Sequence, residues 1–234
     1  MNYKLVILGS GESGTGAALL AHKMGISVFV SEKNSIAEKY KLELAQRNIP
    51  FEEGGHTEEI VLNAAEIVKS PGIPHKVDMI QKAIGKNIPV LSEIEFAYRY
   101  KGNSKIVCIT GSNGKTTTTS ICYDMFLKDN QDVSLVGNIG YSFARQIATK
   151  PTAWYVMEIS SFQLDDIIDF RPDIAVITNI TPDHLDRYNY EFALYTKAKF
   201  KIAKNQTKED YLILCKEDKA TNDYLNEHIL HPKI

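Results

Sequence analysis

A glycine-rich turn between an apolar run and a helical pattern holds the residues best suited to chemistry. The segment from Cys108 reads CITGSNGKTTTT. Backbone amides of such a turn can surround phosphate oxygens, Lys115 can neutralise the outer phosphates, and the hydroxyl of Thr116 can ligate Mg²⁺. Ile109 stands where the longer G-x-x-x-x-G-K-[ST] pattern has its first glycine, so only the shorter G-x-x-G-K-T form is present. We predict a nucleotide-phosphate site formed by Gly111, Ser112, Asn113, Gly114, Lys115, Thr116 and Thr117.

Two later residues follow predicted strands. The strand AWYVM ends in Glu158, and the strand IAVITNI leads into TPDHLDRY, which contains His184. Because the carboxyl ends of parallel strands meet at one edge of a sheet, both side chains are expected beside the lysine turn. Glu158 could supply a second oxygen ligand for magnesium, or it could be an exposed acid at the end of a strand. His184 could equally cap a helix, since magnesium prefers oxygen donors.

A second glycine-rich turn opens the chain. The segment KLVILGSGESGTG fits G-x-G-x-x-G at Gly9, Gly11 and Gly14, and Glu32 closes the next predicted strand. These glycines permit a tight turn and close approach of a diphosphate, while the acid could reach a ribose or a base. The pattern is compatible with a dinucleotide, with another nucleotide diphosphate, or with a turn that only packs a helix on a strand. Glu12 disfavours NAD because it places a carboxylate beside the expected pyrophosphate.

The elements that position these turns alternate along the chain. Short apolar runs predict parallel strands, namely KLVIL, SVFV, EIVKS, IPVL, KIVCIT, AWYVMEI, DIAVITNI and YLILC. Longer patterns between them predict helices over residues 13–24, 37–46, 77–85, 115–128 and 191–202. The fold class is therefore α/β, with a Rossmann-like domain followed by a P-loop mononucleotide-binding domain that has a mostly parallel sheet. The polar segment RYKGNSK separates the two series, and the domain border is predicted somewhat earlier, between residues 92 and 93.

Composition excludes several classes of function. The 234 residues are 44% hydrophobic, and 27 Lys and Arg face 29 Asp and Glu for a formal net charge of -2. No overall basic field points to nucleic acid or to an anionic membrane. No apolar run approaches the length of about 18 residues that a membrane helix needs, and the start MNYKLVILGS moves straight into a strand pattern. A cytoplasmic protein is predicted.

Several of these segments together carry a family resemblance. TGSNGKTTTTS, GNIG, EISSFQL, NITPDHLDRY and YTKAKFKI resemble the Mur ligases of bacterial cell-wall synthesis. Within that family, EISSFQL, GSGESGTG and SPGI are most similar to the branch that adds D-glutamate to UDP-N-acetylmuramoyl-L-alanine. The resemblance covers the chain but only part of the family's three domains, so we expect a truncated central sheet and no C-terminal amino-acid-binding domain. It implies a monomer that is inactive as a fragment.

The resemblance also implies a reaction. Members of the family use ATP to convert a carboxylate into an acyl phosphate, and the amine of the amino acid then displaces phosphate. The catalytic residues would be Lys115, Glu158, His184 and Lys199. Thr116 and Glu158 would hold one of two magnesium ions, and His184 would help to hold the second. Lys199 matches a lysine that is carbamylated in the family, which would make it an anionic group of the metal site, whereas the residues alone indicate only a solvated helix face.

Substrate contacts follow from the same resemblance. Those expected around the uracil are Glu12, Ser13 and Glu32, and those near the diphosphate are Ser70, Pro71 and Gly72. Contacts to the UDP-sugar and the substrate side are expected from Gly137, Asn138, Ser160, Gln163 and Asp183. One departure concerns the second strand, where the family often has Asp and this chain has Ser31 followed by Glu32.

Two other functions remain open from the sequence. An NAD-dependent oxidoreductase would account for GSGESGTG but would leave GSNGKTT, Glu158 and His184 without a role. A nucleotide-binding module without turnover would account for both turns. Protection against unfolding by NAD or by UDP-sugars would separate the first alternative from the ligase.

Overall fold

The computed structural model describes residues 3–234, which form alternating strands and helices. The strands are β1 (Leu5–Leu8), β2 (Val28–Ser31), β3 (Phe51–Glu52), β4 (Glu66–Lys69), β5 (Val90–Ser92), β6 (Lys105–Thr110), β7 (Val133–Gly137), β8 (Trp154–Glu158), β9 (Ile174–Ile177) and β10 (Tyr211–Leu214). The α-helices are α1 (Glu12–Lys23), α2 (Glu38–Gln46), α3 (Glu58–Val61), α4 (Asp78–Gly85), α5 (Glu93–Tyr98), α6 (Lys115–Lys128), α7 (Phe143–Thr149), α8 (Ser161–Leu164), α9 (Phe192–Phe200) and α10 (Lys219–Glu227). Two short 3-10 helices are Leu185–Tyr188 and Lys201–Ala203.

The chain folds into two compact units. The N-terminal unit runs through Lys101 and also includes Ser142–Pro151, which contains α7. The central unit consists of Gly102–Tyr141 and Thr152–Ile234. The domain border between residues 92 and 93 stays a prediction. Helices α5 and α7, which both follow residue 92, pack with the N-terminal unit.

The N-terminal unit is built on a five-stranded parallel sheet in the order β3-β2-β1-β4-β5. All four residues of β1 are buried, as expected for a central strand covered on both faces. Val6 and Leu8 share one face, where they pack with Ile80 and Ala83 of α4. Helix α1 packs against α5 and α7. The chain order reverses on either side of β1, which opens a crevice at the carboxyl ends of the strands.

The central unit repeats this design with another five-stranded parallel sheet, in the order β10-β9-β6-β8-β7. Strand β6 lies in the middle, and its residues from Ile106 onward are buried. Val107 and Ile109 pack with Val156 of β8 and with Phe126 of α6. The order reverses beside β6, so the lysine turn that follows this strand lies at the second crevice.

The predicted α/β class with two parallel sheets is confirmed, and every strand paired in these two sheets is parallel. The eight predicted strands are all present, and α6 has the predicted bounds. The strands β3 and β7 were not predicted, because β3 has only two residues and Ser134 interrupts the apolar run of β7. Among residues 3–234, no helix is both long enough and apolar enough to span a bilayer.

Candidate active site

The lysine turn of the central unit has a fixed backbone. Gly111 has a φ of 149°, and a Cβ built on it would lie 1.9 Å from the hydroxyl oxygen of Thr178. The amide N–H of Asn113 donates to Oδ1 of Asn179 over 3.0 Å, and Nδ2 of Asn179 donates back to the carbonyl of Asn113 over 3.0 Å. A side chain at position 111 would therefore displace the segment after β9 that holds the turn.

Ser112 acts as a second brace for the turn. Its buried hydroxyl donates to the carbonyl of Thr181 over 2.8 Å and accepts from the amide N–H of Thr181 over 2.9 Å. The hydroxyl of Tyr195, from α9, lies 3.1 Å from the same oxygen. Because Ser112 gives its only proton to Thr181, the tyrosine is the donor in this third bond. The side chains of Ser112 and Asn113 thus both hold the turn through hydrogen bonds to Thr181.

Two lysine amines lie at this turn. Nζ of Lys115 donates to the carbonyls of Gly111 and Ser112 over 3.0 Å and 2.9 Å. Nζ of Lys199, on α9, is buried and donates to the carbonyl of Gly111 over 2.7 Å. In the part of the chain that the structure describes, neither amine forms an ion pair with a carboxylate. Two amines therefore converge on a turn whose geometry suits an anion.

Burial, and after it the nearby charge of Lys115, lower the pKa of Lys199 to about 7 against the opposing charge of Asp183. Burial disfavours the charged amine because water solvates an ammonium group better than the protein does. At neutral pH, roughly half of the Lys199 side chains therefore carry no charge. The residue combines a buried position with a reactive neutral amine.

Glu158 lies beside Thr116 at the carboxyl end of β8. The hydroxyl of Thr116 donates to Oε2 of Glu158 over 2.7 Å, and Nδ2 of Asn138 donates to Oε1 over 2.8 Å. The amide N–H of Asn138 also donates to the carbonyl of Glu158 over 2.9 Å. Gly137 has a φ of 103°, and a Cβ there would lie 2.2 Å from that carbonyl. Gly137 and Asn138 therefore orient Glu158, a contact that sequence reasoning had not foreseen.

The pair of Thr116 and Glu158 fits a magnesium ion. A hydroxyl and a carboxylate oxygen at hydrogen-bond distance, next to a phosphate-type turn, are the hard donors that Mg²⁺ takes. Within residues 3–234, no three His, Cys, Asp or Glu side chains converge as a metal cluster. Mg²⁺ usually binds through one or two protein oxygens together with phosphate oxygens and water.

His184 lies in a different environment. It has a φ of 50° and directly precedes the 3-10 helix Leu185–Tyr188. Its Nε2 lies 3.5 Å from Oδ2 of Asp183, its ring centroid lies 5.3 Å from that of Phe162, and 57% of its side chain is exposed. The contacts described for His184 are thus with its own loop and with α8. The negative charge of Asp183 also acts on Lys199, whose pKa it raises.

Ser160 and Gln163 begin α8, just after β8. The hydroxyl of Ser160 accepts from the amide N–H of Gln163 over 3.4 Å, and Oε1 of Gln163 accepts from the amide N–H of Ser160 over 3.0 Å. This reciprocal capping box satisfies amide donors that a helix leaves open at its start. The two predicted substrate-side residues therefore have a local structural role.

A cleft of about 610 Å³ lies at the carboxyl ends of β1, β2 and β4 in the N-terminal unit. Its walls include three of the predicted substrate residues, Glu32, Ser70 and Gly72, whereas Glu12, Ser13 and Pro71 are not among its lining residues. Glu32 accepts hydrogen bonds from the amide N–H and hydroxyl of Ser10 over 2.9 Å and 3.0 Å. Burial opposes ionisation of Glu32, but the hydrogen bonds from Asn34 and Ser10 lower its pKa overall. The cleft therefore has an ionised carboxylate beside its glycine turn.

Glu12 instead pairs with a residue of α7. Oε1 of Glu12 lies 2.7 Å from Nε of Arg145 and accepts from the amide N–H of Ser142 over 3.0 Å. The other side of the guanidinium donates to both carboxylate oxygens of Glu43 over 2.7 Å and 2.8 Å. The side chain of Arg145 is only 9% exposed. Glu12, Arg145 and Glu43, here called the arginine clasp, join α1, α7 and α2.

Glu93 lies buried near the clasp. Its Oε1 accepts from the amide N–H of Ala144, and its Oε2 has no hydrogen-bond partner within the described residues. Burial, and after it the charge of Glu12, raise the pKa of Glu93 to about 8 against the opposing hydrogen bond from Ala144. At neutral pH this side chain is mostly a neutral acid.

Sequence reasoning missed several residues at both crevices. Asn179 stood in a quoted motif without a role, although it holds the lysine turn in both directions. His56 lines the cleft of the N-terminal unit and follows β3, whose two residues are too few for a periodic pattern. A polar residue two to four positions beyond each strand is the signal that could have found both.

Two family models match successive parts of the chain. The family model described as "Mur ligase MurD-like, N-terminal domain" matches residues 3–92, and "Mur ligase middle domain" matches residues 109–231. A UDP-N-acetylmuramoylalanine--D-glutamate ligase of Porphyromonas gingivalis is 53% identical over 228 residues, which are 97% of this chain and 50% of that protein. The ligase of the same name from Bacteroides thetaiotaomicron is 51% identical over 225 residues, 96% of this chain and 50% of that protein. The chain spans about half the length of these curated relatives.

Solved structures show the same fold at low identity. A UDP-N-acetylmuramate:L-alanyl-gamma-D-glutamyl-meso-diaminopimelate ligase from Neisseria meningitides matches with a TM-score of 0.69 and 17% identity, over 100% of this chain and 77% of that one. UDP-N-acetylmuramate-alanine ligase from Thermotoga maritima matches with a TM-score of 0.60 and 20% identity, over 94% of this chain and 51% of that one.

The lysine turn, the paired Thr116 and Glu158, and the buried Lys199 therefore lie within matched models that extend over most of the chain. The chain belongs to the Mur ligase family, of which it carries the N-terminal and middle domains.

Proposed function

We propose that this chain forms the UDP-sugar-binding and ATP-binding parts of an ADP-forming ligase that adds D-glutamate to UDP-N-acetylmuramoyl-L-alanine in peptidoglycan precursor synthesis. The observation that carries the proposal is the convergence of Lys115, Thr116 and Glu158 at the carboxyl edge of the central sheet. The relatives at about 50% identity, which are named for this reaction, support the choice of amino acid.

The proposed reaction needs two anions to meet. A carboxylate is a poor acyl donor, and its phosphorylation by ATP gives an acyl phosphate with a good leaving group, which the amine of D-glutamate displaces. Catalysis then requires positioning and neutralisation of charge. Lys115 suits this task because its amine donates to backbone carbonyls and can turn to phosphate oxygens.

Magnesium would supply further neutralisation of phosphate charge when bound. Thr116 and Glu158 would hold the first ion through their oxygens, with Asn138 fixing the carboxylate. His184 is proposed to help hold a second ion, and Asp183, its neighbour, faces the Lys199 amine. Gly111, Ser112, Asn113, Gly114 and Thr117 complete the proposed ATP turn.

Carbamylation of Lys199 is part of the proposal. The neutral amine would form an N–C bond to carbon dioxide and release a proton to water, giving a carbamate anion. The pKa of about 7 supports this step, since an ordinary lysine is almost wholly protonated at neutral pH. With ¹³C-labelled carbon dioxide, the chain should show a carbamate resonance that is absent from Lys199→Arg. Lys197→Arg, on the same helix, should keep the resonance.

The UDP-sugar is proposed to lie in the cleft of the N-terminal unit. Glu32, Ser70 and Gly72 line that cleft and are proposed to contact the nucleotide. Pro71 lies between Ser70 and Gly72, and Ser13 lies two residues after Gly11, which also lines the cleft; both are proposed as further contacts. Glu12 is proposed to act through the arginine clasp. Gly137, Asn138, Ser160, Gln163 and Asp183 remain proposed contacts of the remaining substrate.

Ligand binding by the 234-residue chain tests the proposal directly. We expect UDP-sugars and ATP with Mg²⁺ each to raise its thermal unfolding midpoint, and NAD to leave it unchanged. Stabilisation by NAD alone would contradict the proposal. ADP release with UDP-N-acetylmuramoyl-L-alanine, D-glutamate, Mg²⁺ and ATP should be strong from a chain with the full length of the relatives and weak from these residues. Equal release from both would show that the amino-acid site lies in these residues.

A further inference from the structure

His56 lies in the cleft of the N-terminal unit, and one nitrogen of its ring is fixed by a hydrogen bond. Its Nδ1 lies 2.6 Å from the hydroxyl oxygen of Ser31, the last residue of β2. The same hydroxyl lies 2.7 Å from Oε1 of Glu52, the last residue of β3. Glu52 also accepts from the amide N–H and the hydroxyl of Thr57. The imidazole is thus tied to the ends of two adjacent strands.

The direction of these hydrogen bonds follows from counting protons. Burial opposes ionisation of Glu52, but the bonds from Thr57 and Ser31 lower its pKa overall, so the carboxylate is ionised and only accepts. The single proton of the Ser31 hydroxyl therefore goes to Glu52. The Ser31 oxygen can then only accept from His56, so Nδ1 carries a proton.

The other ring nitrogen is consequently an acceptor. Burial lowers the pKa of His56; the carboxylates of Glu52 and Glu32 oppose this effect, and Lys33 adds to it. A neutral imidazole with its proton on Nδ1 presents a lone pair at Nε2. Within the described residues, Nε2 of His56 has no hydrogen-bond partner, although His56 lines the cleft.

The position of His56 in the sheet indicates which part of a nucleotide it meets. The strand order is β3-β2-β1-β4. The glycine turn follows β1, Glu32 follows β2, and His56 follows β3 at the outer side. In sheets of this kind, the diphosphate lies at the first turn and the acid after the second strand reaches the ribose. The next group outward is the base.

We propose that Nε2 of His56 reads the base of the bound nucleotide by accepting a hydrogen bond from the imide N3–H of uracil. The inference rests on the proposed function and names a specificity residue within it. Uracil presents a donor at N3, whereas cytosine presents an acceptor there, so a fixed acceptor in the protein discriminates between UDP and CDP. The bond from Ser31, itself fixed by Glu52, keeps the acceptor tautomer in place.

The test measures binding of UDP and of N3-methyl-UDP to the 234-residue chain by calorimetry at pH 8, where His56 is neutral. N3-methylation should weaken binding to the unaltered chain about tenfold, the value of one well-made hydrogen bond at the upper end of the usual range. His56→Ala should weaken UDP binding by about the same factor and bind both ligands equally. His22→Ala, an exposed histidine of α1, should behave like the unaltered chain.

His56→Gln provides a second variant, because its amide oxygen can replace Nε2 as an acceptor. It should retain the preference for UDP over N3-methyl-UDP, and it keeps the inference testable if His56→Ala does not fold. With UDP-N-acetylglucosamine, whose diphosphate does not titrate near neutrality, affinity should fall by up to about tenfold per pH unit below the pKa of His56. The Gln variant should show no such fall.

Three results would overturn the inference. They are equal binding of UDP and N3-methyl-UDP by the unaltered chain, equal sensitivity to methylation in His56→Ala, and a loss in His56→Ala that disappears with 2′-deoxy-UDP, which would assign the ribose as partner. Failure of the unaltered chain to bind any UDP-sugar would instead contradict the proposed function. The two failures are therefore distinguishable.

Discussion

The two units share one architecture but use their buried charges differently. Each has a five-stranded parallel sheet with its first strand in the middle and a glycine-rich turn after that strand. In the N-terminal unit, the buried guanidinium of Arg145 is matched by the carboxylates of Glu12 and Glu43. In the central unit, the amines of Lys115 and Lys199 donate to carbonyls.

Buried charges in the N-terminal unit stabilise the fold, whereas those in the central unit are available to bind an anionic ligand. A buried ion pair is already compensated, and removal of one partner leaves the other uncompensated in a poor solvent for ions. The amine of Lys115, which donates to carbonyls, keeps its capacity for an anion. The same architecture can therefore hold buried charges that compensate each other, as in the N-terminal unit, or positive charge that a bound anion would compensate, as in the central unit.

The largest expected effect concerns the arginine clasp. Arg145→Met should lower the free energy of unfolding by about 3 kcal/mol, because Glu12 and Glu43 lose their buried partner. Urea denaturation followed by circular dichroism measures the loss. Arg47→Met is the matched control, since Arg47 is more exposed and lies 3.9 Å from the same Glu43. A loss as small as that of the control would show that the clasp does not stabilise the fold.

The second effect concerns the central unit alone. Lys115→Ala should weaken ATP binding about 100-fold, because the outer phosphates lose a charged donor. UDP-sugar binding should stay unchanged, since its proposed cleft lies in the N-terminal unit. Lys128→Ala, at the other end of α6, should leave ATP binding intact. Equal losses of ATP affinity in both lysine variants would show that the Lys115 amine does not bind the phosphates.

Glu93 offers a test of the buried acid in the N-terminal unit. Its pKa is raised in the folded state, so its contribution to stability is present at low pH and is lost as pH rises towards 8. Between pH 5 and 6.5, the unaltered chain should lose about 2 kcal/mol of unfolding free energy relative to Glu93→Gln. Glu59→Gln, which changes an exposed acid of helix α3, should follow the unaltered chain. Parallel pH curves for all three proteins would contradict the raised pKa.

The smallest expected effect concerns magnesium. In Glu158→Gln, the increase in ATP affinity on adding Mg²⁺ should fall about tenfold, since one carboxylate ligand is lost. ATP binding without Mg²⁺ should change little. Glu209→Gln, an exposed acid of the same unit, is the control. An unchanged magnesium response would exclude Glu158 as a ligand.

The central crevice was predictable because its elements are local. Strand β6, the turn and helix α6 are continuous in sequence, and the α6 bounds Lys115–Lys128 match the prediction. The place of Glu158 beside Thr116 followed from the rule that parallel strands end at one edge. Each prediction depended on a short segment: the glycine-rich turn for Lys115 and Thr116, and the end of one apolar strand for Glu158.

The remaining features depend on partners far along the chain. Glu12 was expected at the uracil, yet Arg145, more than a hundred residues later, determines its contacts. The acceptor state of His56 depends on Ser31 and Glu52 together, and neither forms a motif with it. Periodicity and local motifs describe single elements and carry no information on such tertiary contacts.

Helix α7 has a consequence for synthesis of the protein. It belongs to the N-terminal unit, although β6, α6 and β7 of the central unit precede it in the chain. During translation, the first unit therefore remains without Arg145 and Ala144 while two of the five strands of the second sheet are being made. Until then, Glu12 lacks its cation and the carboxyl group of Glu93 lacks the amide of Ala144. Since domains generally fold as units in order of synthesis, the nascent N-terminal unit should become resistant to proteases only after Thr149 has left the ribosome.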